Sequence, residues 1–125
     1  MWYIYFMILA IPLSAYNIQY VLFLHPIKNK LIDNATFTKI VYSPQCTSLN
    51  GIYIYIKDQS MESILKIEKD ILNAYSCFSS AEPSYVMSKG LNRYEHNKIL
   101  KISGIWENEK QYGLAYKIIH ETRLF

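Results

Sequence analysis

The sequence predicts a mainly β protein, a small five-stranded barrel with one inserted α-helix, preceded by an apolar N-terminal leader. Three observations support this prediction. From position 36 onwards, short runs of β-branched and aromatic residues alternate with turn residues. One stretch, 61–75, changes to helical periodicity, and one long strand contains a glycine. The 125 residues, 51% hydrophobic and 18% charged, are typical of one globular domain with a modest core.

Residues 1–26 are mostly apolar and contain no Lys, Arg, Asp or Glu. Three interpretations remain open: a secretory signal whose apolar region ends near Ala15, a membrane anchor running to about Phe23, or a buried element of the fold. No basic residue precedes the apolar run, and Pro12 interrupts a long span. The segment predicts membrane contact and membrane, secretory or organellar targeting, with a cytoplasmic location as the alternative. The expected organisation is a leader at 1–26, a polar linker at 27–35 and a folded domain at 36–125.

The first two strands are predicted at 36–42 and 52–57. The earlier run, TFTKIVY, is rich in β-branched and aromatic residues. An Asn-Gly dipeptide precedes the later run, and this dipeptide readily supplies the positive φ angles that a hairpin turn requires. Strict alternation in IYIYIK predicts that the isoleucines face a core and that Tyr53, Tyr55 and Lys57 face outward.

The stretch 61–75 predicts an amphipathic helix capped by Ser60, because its apolar residues recur every three or four positions. The apolar stripe indicates ordinary core packing, and the small polar residues that follow predict a loop. Three further strands are expected at 84–89, 97–107 and 114–121. Gly104 lies inside the second of these, which indicates a sharp bend or a close backbone approach and suits a small closed barrel.

The side chains that carry catalysis or bind metals are scattered along the chain. The three histidines lie far from each other and from both cysteines, and no phosphate loop or nucleophile-elbow motif is present. We therefore expect no enzymatic activity, cofactor, metal or small-molecule substrate. Cys46 and Cys77 would pair in an exported protein, but we favour two ordinary buried or half-buried thiols. The net charge of +3 permits contact with phosphates without requiring it.

Near its end the chain carries a Gly-x-Trp and a Tyr-Gly at a fixed interval, in the stretch GIWENEKQYG. The run from Tyr85 to Glu121 resembles the N-terminal oligonucleotide/oligosaccharide-binding (OB) domain of RecD-like DNA helicases, the family of the exodeoxyribonuclease V alpha subunit. The matching positions are Gly104, Trp106, Tyr112, Gly113, Tyr116, Lys117 and Ile118. The hairpin at 38–58 is similar to the first hairpin of the same domain. Ala115 and Tyr116 stand where the family usually has Gln and Phe.

The resemblance implies an OB-like barrel that acts as an accessory domain of such a helicase, as a fragment or a stand-alone remnant. Its expected partners are single-stranded DNA, bound weakly, or a helicase motor domain. OB barrels stack bases on aromatic side chains while Lys and Arg follow the backbone. The candidate binding residues are Tyr53, Tyr55, Lys57, Arg93 and Lys101.

Two aromatic residues of the matching stretch are assigned to structure. Trp106 is predicted in the core, on the opposite face of its strand from Lys101, and Tyr112 and Gly113 are predicted in a turn. The alternative function is that of a small exported or membrane-anchored protein whose barrel mediates protein–protein contacts.

Overall fold

The computed structural model describes residues 3–5, 8–32, 34–45, 47–56, 61–90 and 98–120. Its strands are β1 (Tyr3–Tyr5), β2 (Ile8–Pro12), β3 (Val21–Phe23), β4 (Ile27–Lys28), β5 (Thr36–Tyr42), β6 (Leu49–Asn50), β7 (Ile52–Ile56), β8 (Glu82–Pro83), β9 (Lys98–Glu107) and β10 (Gln111–His120). The α-helices are α1 (Met61–Tyr75) and α2 (Val86–Gly90). Single turns of 3₁₀ helix occupy Leu13–Ala15, Ile18–Tyr20 and Ser76–Phe78.

The mainly β prediction is confirmed, but the described strands form an open mixed sheet. The order along the sheet is β1-β2-β7-β9-β10-β8, and β5 pairs with β9 and with the short strands β3, β4 and β6. The closed barrel of five strands with one helix is therefore not what these residues form. Strand β2 pairs in parallel with the edge of β7 that faces away from β9, and β8 pairs in parallel with the corresponding edge of β10. A barrel would close if β7 and β10 paired along these edges, and their described residues do not.

Strand β9 is the centre of the sheet, and it has two partners along one edge. Its residues 98–102 pair with β7 and its residues 104–107 pair with β5, both antiparallel, while β10 lies along the other edge. Gly104 stands where the partner changes. A Cβ atom at this position would collide with the carbonyl oxygen of Thr38 and with the Phe37 ring, which confirms the predicted close approach of the backbone.

The core lies between α1 and the sheet. The helix has the predicted bounds, and its face buries Ile64, Ile67, Ile71, Leu72 and Tyr75. Each of these apolar side chains contributes about 1.5–3 kcal/mol by leaving water. The N-terminal part of the chain contributes Ile11 to the same core. This side chain is 1% exposed, because β2 pairs with β7 and so joins the sheet.

The predicted strand at 84–89 is wrong. The chain makes only the two-residue strand β8 and then enters α2. The reason is a tertiary contact, because the buried carboxylate of Glu68 on α1 accepts hydrogen bonds from Met87 N (2.7 Å), Ser88 N (3.0 Å) and Ser88 Oγ (2.6 Å). These bonds satisfy backbone donors that the start of a helix leaves free.

The turns also differ in position from the predicted ones. Tyr112 and Gly113 lie inside β10, and the turn before it is closed by Asn108, whose Oδ1 accepts from Lys110 N at 2.9 Å and Gln111 N at 2.8 Å. Gly51 has the expected positive φ, 90°, but it stands between β6 and β7. Among the residues that the structure describes, no helix combines the length and apolar character needed to cross a bilayer.

Candidate nucleic-acid interface

The sheet has an outer face, which is the side turned away from α1. Ile52 and Ile54 of β7 belong to the core, so the alternation along the strand places Tyr53 and Tyr55 on the outer face. Tyr53 is paired with Lys101 of β9. Lys101 is paired in turn with Lys117 of β10, so one aromatic and two basic residues form a single row across three strands.

The Tyr53 and Lys101 side chains are in contact. The Lys101 Nζ atom lies 5.5 Å from the centroid of the Tyr53 ring, which is cation–π distance and contributes about 0.5–1 kcal/mol at a partly exposed site. Both side chains are half-buried, while Lys117 is exposed. The row therefore presents a ring and two ammonium groups together.

Trp106 also lies on the outer face. The prediction that it lies in the core, on the other face of the strand from Lys101, is therefore wrong. Between Ile102 and Gly104 the pairing with β10 shifts by one residue and leaves Ser103 as an extra residue. A bulge of this kind reverses the alternation. Lys101 and Trp106 are five residues apart, yet they share a face, and Trp106 is half-buried outside the core cluster.

Two glycines make room for aromatic rings on this face. A Cβ atom at Gly104 would lie 2.7 Å from Cζ of Phe37, and one at Gly113 would lie 2.6 Å from Cζ2 of Trp106. The rings therefore lie directly over bare backbone. The outward positions also include Ile119 and the buried Ile99, which pairs with Tyr55. We call the outward aromatic and lysine side chains the aromatic–lysine face; they are Phe37, Lys39, Tyr53, Tyr55, Lys101, Trp106 and Lys117.

The aromatic–lysine face is basic. The outward positions of β5, β7, β9 and β10 carry three lysines and, among the described residues, no Asp or Glu. Lys39, paired opposite Gly104, and Lys117 are both exposed. A surface that combines uncharged rings with lysines can stack bases and neutralise phosphates.

The structure brings together three of the five predicted binding residues. Tyr53, Tyr55 and Lys101 share the face, whereas Lys57 and Arg93 lie outside the described residues. Sequence reasoning missed Phe37, Lys39, Trp106 and Lys117 as members of this surface. Leu100, Ile102 and Ile105 are all buried on the core side, and their uneven spacing results from the bulge at Ser103, which only the pairing with β10 reveals.

The other two aromatic residues of the matching stretch face inward. Tyr112 is 1% exposed, and its hydroxyl donates to the Leu72 carbonyl at 3.3 Å. Tyr116 packs against the core cluster. Burial raises the pKa of both phenols above the ordinary value. They support the fold and are not part of the face.

An inward carboxylate, that of Glu107, is held by neighbouring hydroxyls. Its Oε1 accepts from the Tyr75 hydroxyl at 2.7 Å and its Oε2 from Ser79 Oγ at 2.8 Å. Burial is the main cause of the raised pKa of Tyr75. Because both carboxylate oxygens are engaged, this group links α1 to β9 in a structural role.

A separate polar recess of about 390 Å³ lies between α1 and the 3₁₀ turns of the N-terminal part. Its lining includes Tyr16, whose hydroxyl is buried and has no hydrogen-bond partner among the described residues, and the helix residues Lys66 and Asp70. Burial, with a smaller effect from Asp70, raises the pKa of the Tyr16 phenol. The recess has room for a small polar molecule with an acceptor for this hydroxyl.

The remaining chemistry-bearing residues can be judged only in the part of the chain that the structure describes. Within the described ranges, no three His, Cys, Asp or Glu side chains cluster as metal ligands. Cys77 is an exposed free thiol, unlike the buried or half-buried state predicted for it, and Cys46 lies outside the described residues. Comparisons of this chain with protein-family models, with curated proteins and with solved structures found no match.

Proposed function

We propose that the aromatic–lysine face binds single-stranded nucleic acid. The observation that carries the proposal is the row formed by Tyr53, Lys101 and Lys117, in which a ring and two ammonium groups point to the same side of the sheet. A base stacked on a tyrosine contributes about 1–3 kcal/mol, and it does so whatever the base, because each base has a π-face. Lysines beside the ring are placed to meet the phosphates of the same strand.

The dimensions of the face support binding of more than one nucleotide. Tyr53 and Tyr55 are two residues apart on β7, a distance of about 7 Å along the strand. Trp106 extends the platform along β9 by about 14 Å from Lys101, because the bulge at Ser103 leaves a span of only four residues, Lys117 to Gly113, on the facing strand at about 3.4 Å per residue. Several consecutive bases can therefore lie along the face.

We also propose, more specifically, that the chain is an OB-like domain related to the OB domains of RecD-like helicases. The matching positions at Gly104 and Gly113 support it, since both hold aromatic rings on the outer face. An OB domain is itself a partly open barrel, so an open sheet is compatible with this relationship. On the same reading the chain serves as an accessory domain that presents single-stranded DNA to a helicase motor.

The affinity is expected to be micromolar or weaker, because the net charge is only +3. Three lysines on the face predict that log K falls with log salt with a slope of about −2, taking about 0.7 for each phosphate contact on a single strand. Fluorescence anisotropy of a labelled single-stranded oligonucleotide, titrated with the full chain at several salt concentrations, measures both quantities.

Variants locate the binding surface. Tyr53→Ala should weaken binding about 5- to 150-fold, while Tyr53→Phe, which keeps the ring, should bind nearly as the wild type does. Lys117→Gln should reduce the salt slope by about 0.7. Tyr85→Ala and Lys66→Gln, which remove an exposed ring and an exposed ammonium group outside the face, are the matched controls. Absence of binding at low salt, or equal binding by Tyr53→Ala and the wild type, would refute the proposal.

A further inference from the structure

Exposed large apolar side chains are concentrated in one part of the molecule. Among the described residues they are Leu22, Leu24, Ile27, Leu31, Ile32, Phe78 and Tyr85. Five of these seven lie in the eleven residues 22–32, which run antiparallel to β5 as strands β3 and β4 and then turn back. Leu31 and Ile32 stand at the tip of this hairpin, 95% and 58% exposed, and we call them the apolar tip.

Local hydrogen bonds hold the apolar tip outward. The Oδ1 atom of Asn29 accepts from Leu31 N at 2.8 Å and from Ile32 N at 3.3 Å, and Asn29 N donates to the Ala35 carbonyl at 2.8 Å. Asn34 closes the turn with a left-handed φ of 59°. Because polar groups of the turn fix its shape, the exposure of the two apolar side chains follows from the turn itself.

Two lysines precede the apolar tip in the sequence. Lys28 and Lys30 are both exposed and precede it directly, and no acidic residue occurs between positions 22 and 32. Asp33 follows the tip in the sequence, and the Glu109 carboxylate accepts from the Asn34 side chain at 2.5 Å. A convex apolar tip beside two exposed ammonium groups has the character of a segment that enters the interface of a bilayer with anionic headgroups.

We propose that the apolar tip, with Lys28 and Lys30, binds the surface of an anionic phospholipid bilayer. The convex shape favours a bilayer over a folded partner, because a fluid interface can surround a side chain that is 95% exposed, whereas a flat protein surface reaches only its end. The Asn34–Glu109 contact places the tip beside the turn between β9 and β10. The apolar tip lies beyond the Phe37–Trp106 end of the aromatic–lysine face, since β4 pairs with β5 at Ile27 and Phe37. None of Lys28, Lys30, Leu31 and Ile32 is a member of that face, so the bilayer contact does not rest on its function.

Co-sedimentation of the full chain with vesicles tests the proposal. Wild-type protein should bind vesicles of phosphatidylcholine and phosphatidylserine, and bind pure phosphatidylcholine more weakly. The double variant Leu31→Ser/Ile32→Ser should bind both kinds at least about tenfold more weakly, since it removes the apolar groups that enter the interface. Lys28→Gln/Lys30→Gln should lose about fivefold per lysine on the anionic vesicles alone.

The matched control is Phe78→Ser, which removes a 68% exposed apolar side chain elsewhere and should leave vesicle binding unchanged. Far-UV circular dichroism checks that each variant is folded. Wild-type protein that fails to sediment with anionic vesicles overturns the proposal. Unchanged binding by the double serine variant also overturns it, and points to the N-terminal leader. Concentration-dependent self-association that this variant abolishes, without vesicle binding, assigns the tip to a second copy of the chain.

Discussion

Glu68 is fully buried in the middle of α1, and its replacement tests the account of how α2 is held. Its carboxylate accepts three hydrogen bonds, from Met87 N, Ser88 N and Ser88 Oγ, at 2.6–3.0 Å. In Glu68→Ala all three donors lose their partner, and two of them are backbone N–H groups that cannot turn away.

The magnitude follows from these bonds. Each hydrogen bond to a charged group contributes about 1.5–3 kcal/mol, and each buried donor left without a partner costs about 1–3 kcal/mol. Two of the donors, Met87 N and Ser88 N, cannot turn away, so we expect Glu68→Ala to lower the free energy of unfolding by about 2–6 kcal/mol. For a chain of this length the total is about 6–19 kcal/mol, so the loss is a large fraction of it.

Urea unfolding followed by circular dichroism measures the change. Glu68→Gln should lose less, about 1–3 kcal/mol, because one amide oxygen still accepts while the amide nitrogen meets a donor. Lys69→Ala, on the exposed side of the same helix, should change stability by less than about 0.5 kcal/mol. A Glu68→Ala variant that unfolds within about 0.5 kcal/mol of the wild type would show that Glu68 does not hold α2. Equal losses in the Gln and Ala variants would show that the hydrogen bonds are not the cause.

Two further predictions concern backbone packing and buried phenols. Gly104→Ala should lower the free energy of unfolding by about 2 kcal/mol or more in the same urea experiment, because its Cβ meets the Thr38 carbonyl, which cannot move without disturbing the β5–β9 ladder. An unchanged urea midpoint would contradict this packing. Burial raises the pKa of Tyr16, Tyr42, Tyr75, Tyr112 and Tyr116 above the ordinary value of 10.0. Above about pH 10 the unfolded chain loses phenolic protons that the folded chain keeps, so stability should be intact below that pH and fall above it. Tyrosinate absorbance should therefore rise in two phases, the second together with loss of the circular dichroism signal; a single phase complete before unfolding would contradict the burial of these rings.

The periodicity of apolar residues correctly predicted the elements that bury one face along their whole length. The bounds of β5 and α1 were confirmed, and the alternation in β7 correctly turned Tyr53 and Tyr55 outward. In β9 the same reasoning failed beyond Ser103, because one extra residue reverses the side on which Trp106 lies. A bulge depends on the pairing with another strand, which the residues of one strand do not specify.

The region of α2 shows a second limit. The stretch 84–89 has no decisive period of its own, and its conformation depends on Glu68, which is distant in sequence. Glu68 stands four residues after Ile64 and four before Leu72, inside the apolar stripe of α1. A charged residue at such a position indicates that a buried partner exists, but it does not say which segment supplies that partner.

The sharing of one β9 edge by two strands makes the order of folding events important. Strand β5 can pair early with the nearby short strands β3, β4 and β6, yet its remaining edge has no partner until β9 arrives from about 70 residues further along the chain, as in the pairing of Phe37 with Trp106. Closing so long a loop is slow, and unpaired strand edges associate readily with other chains. The protein is therefore most exposed to association with other chains in the interval between synthesis of β5 and docking of the central strand β9.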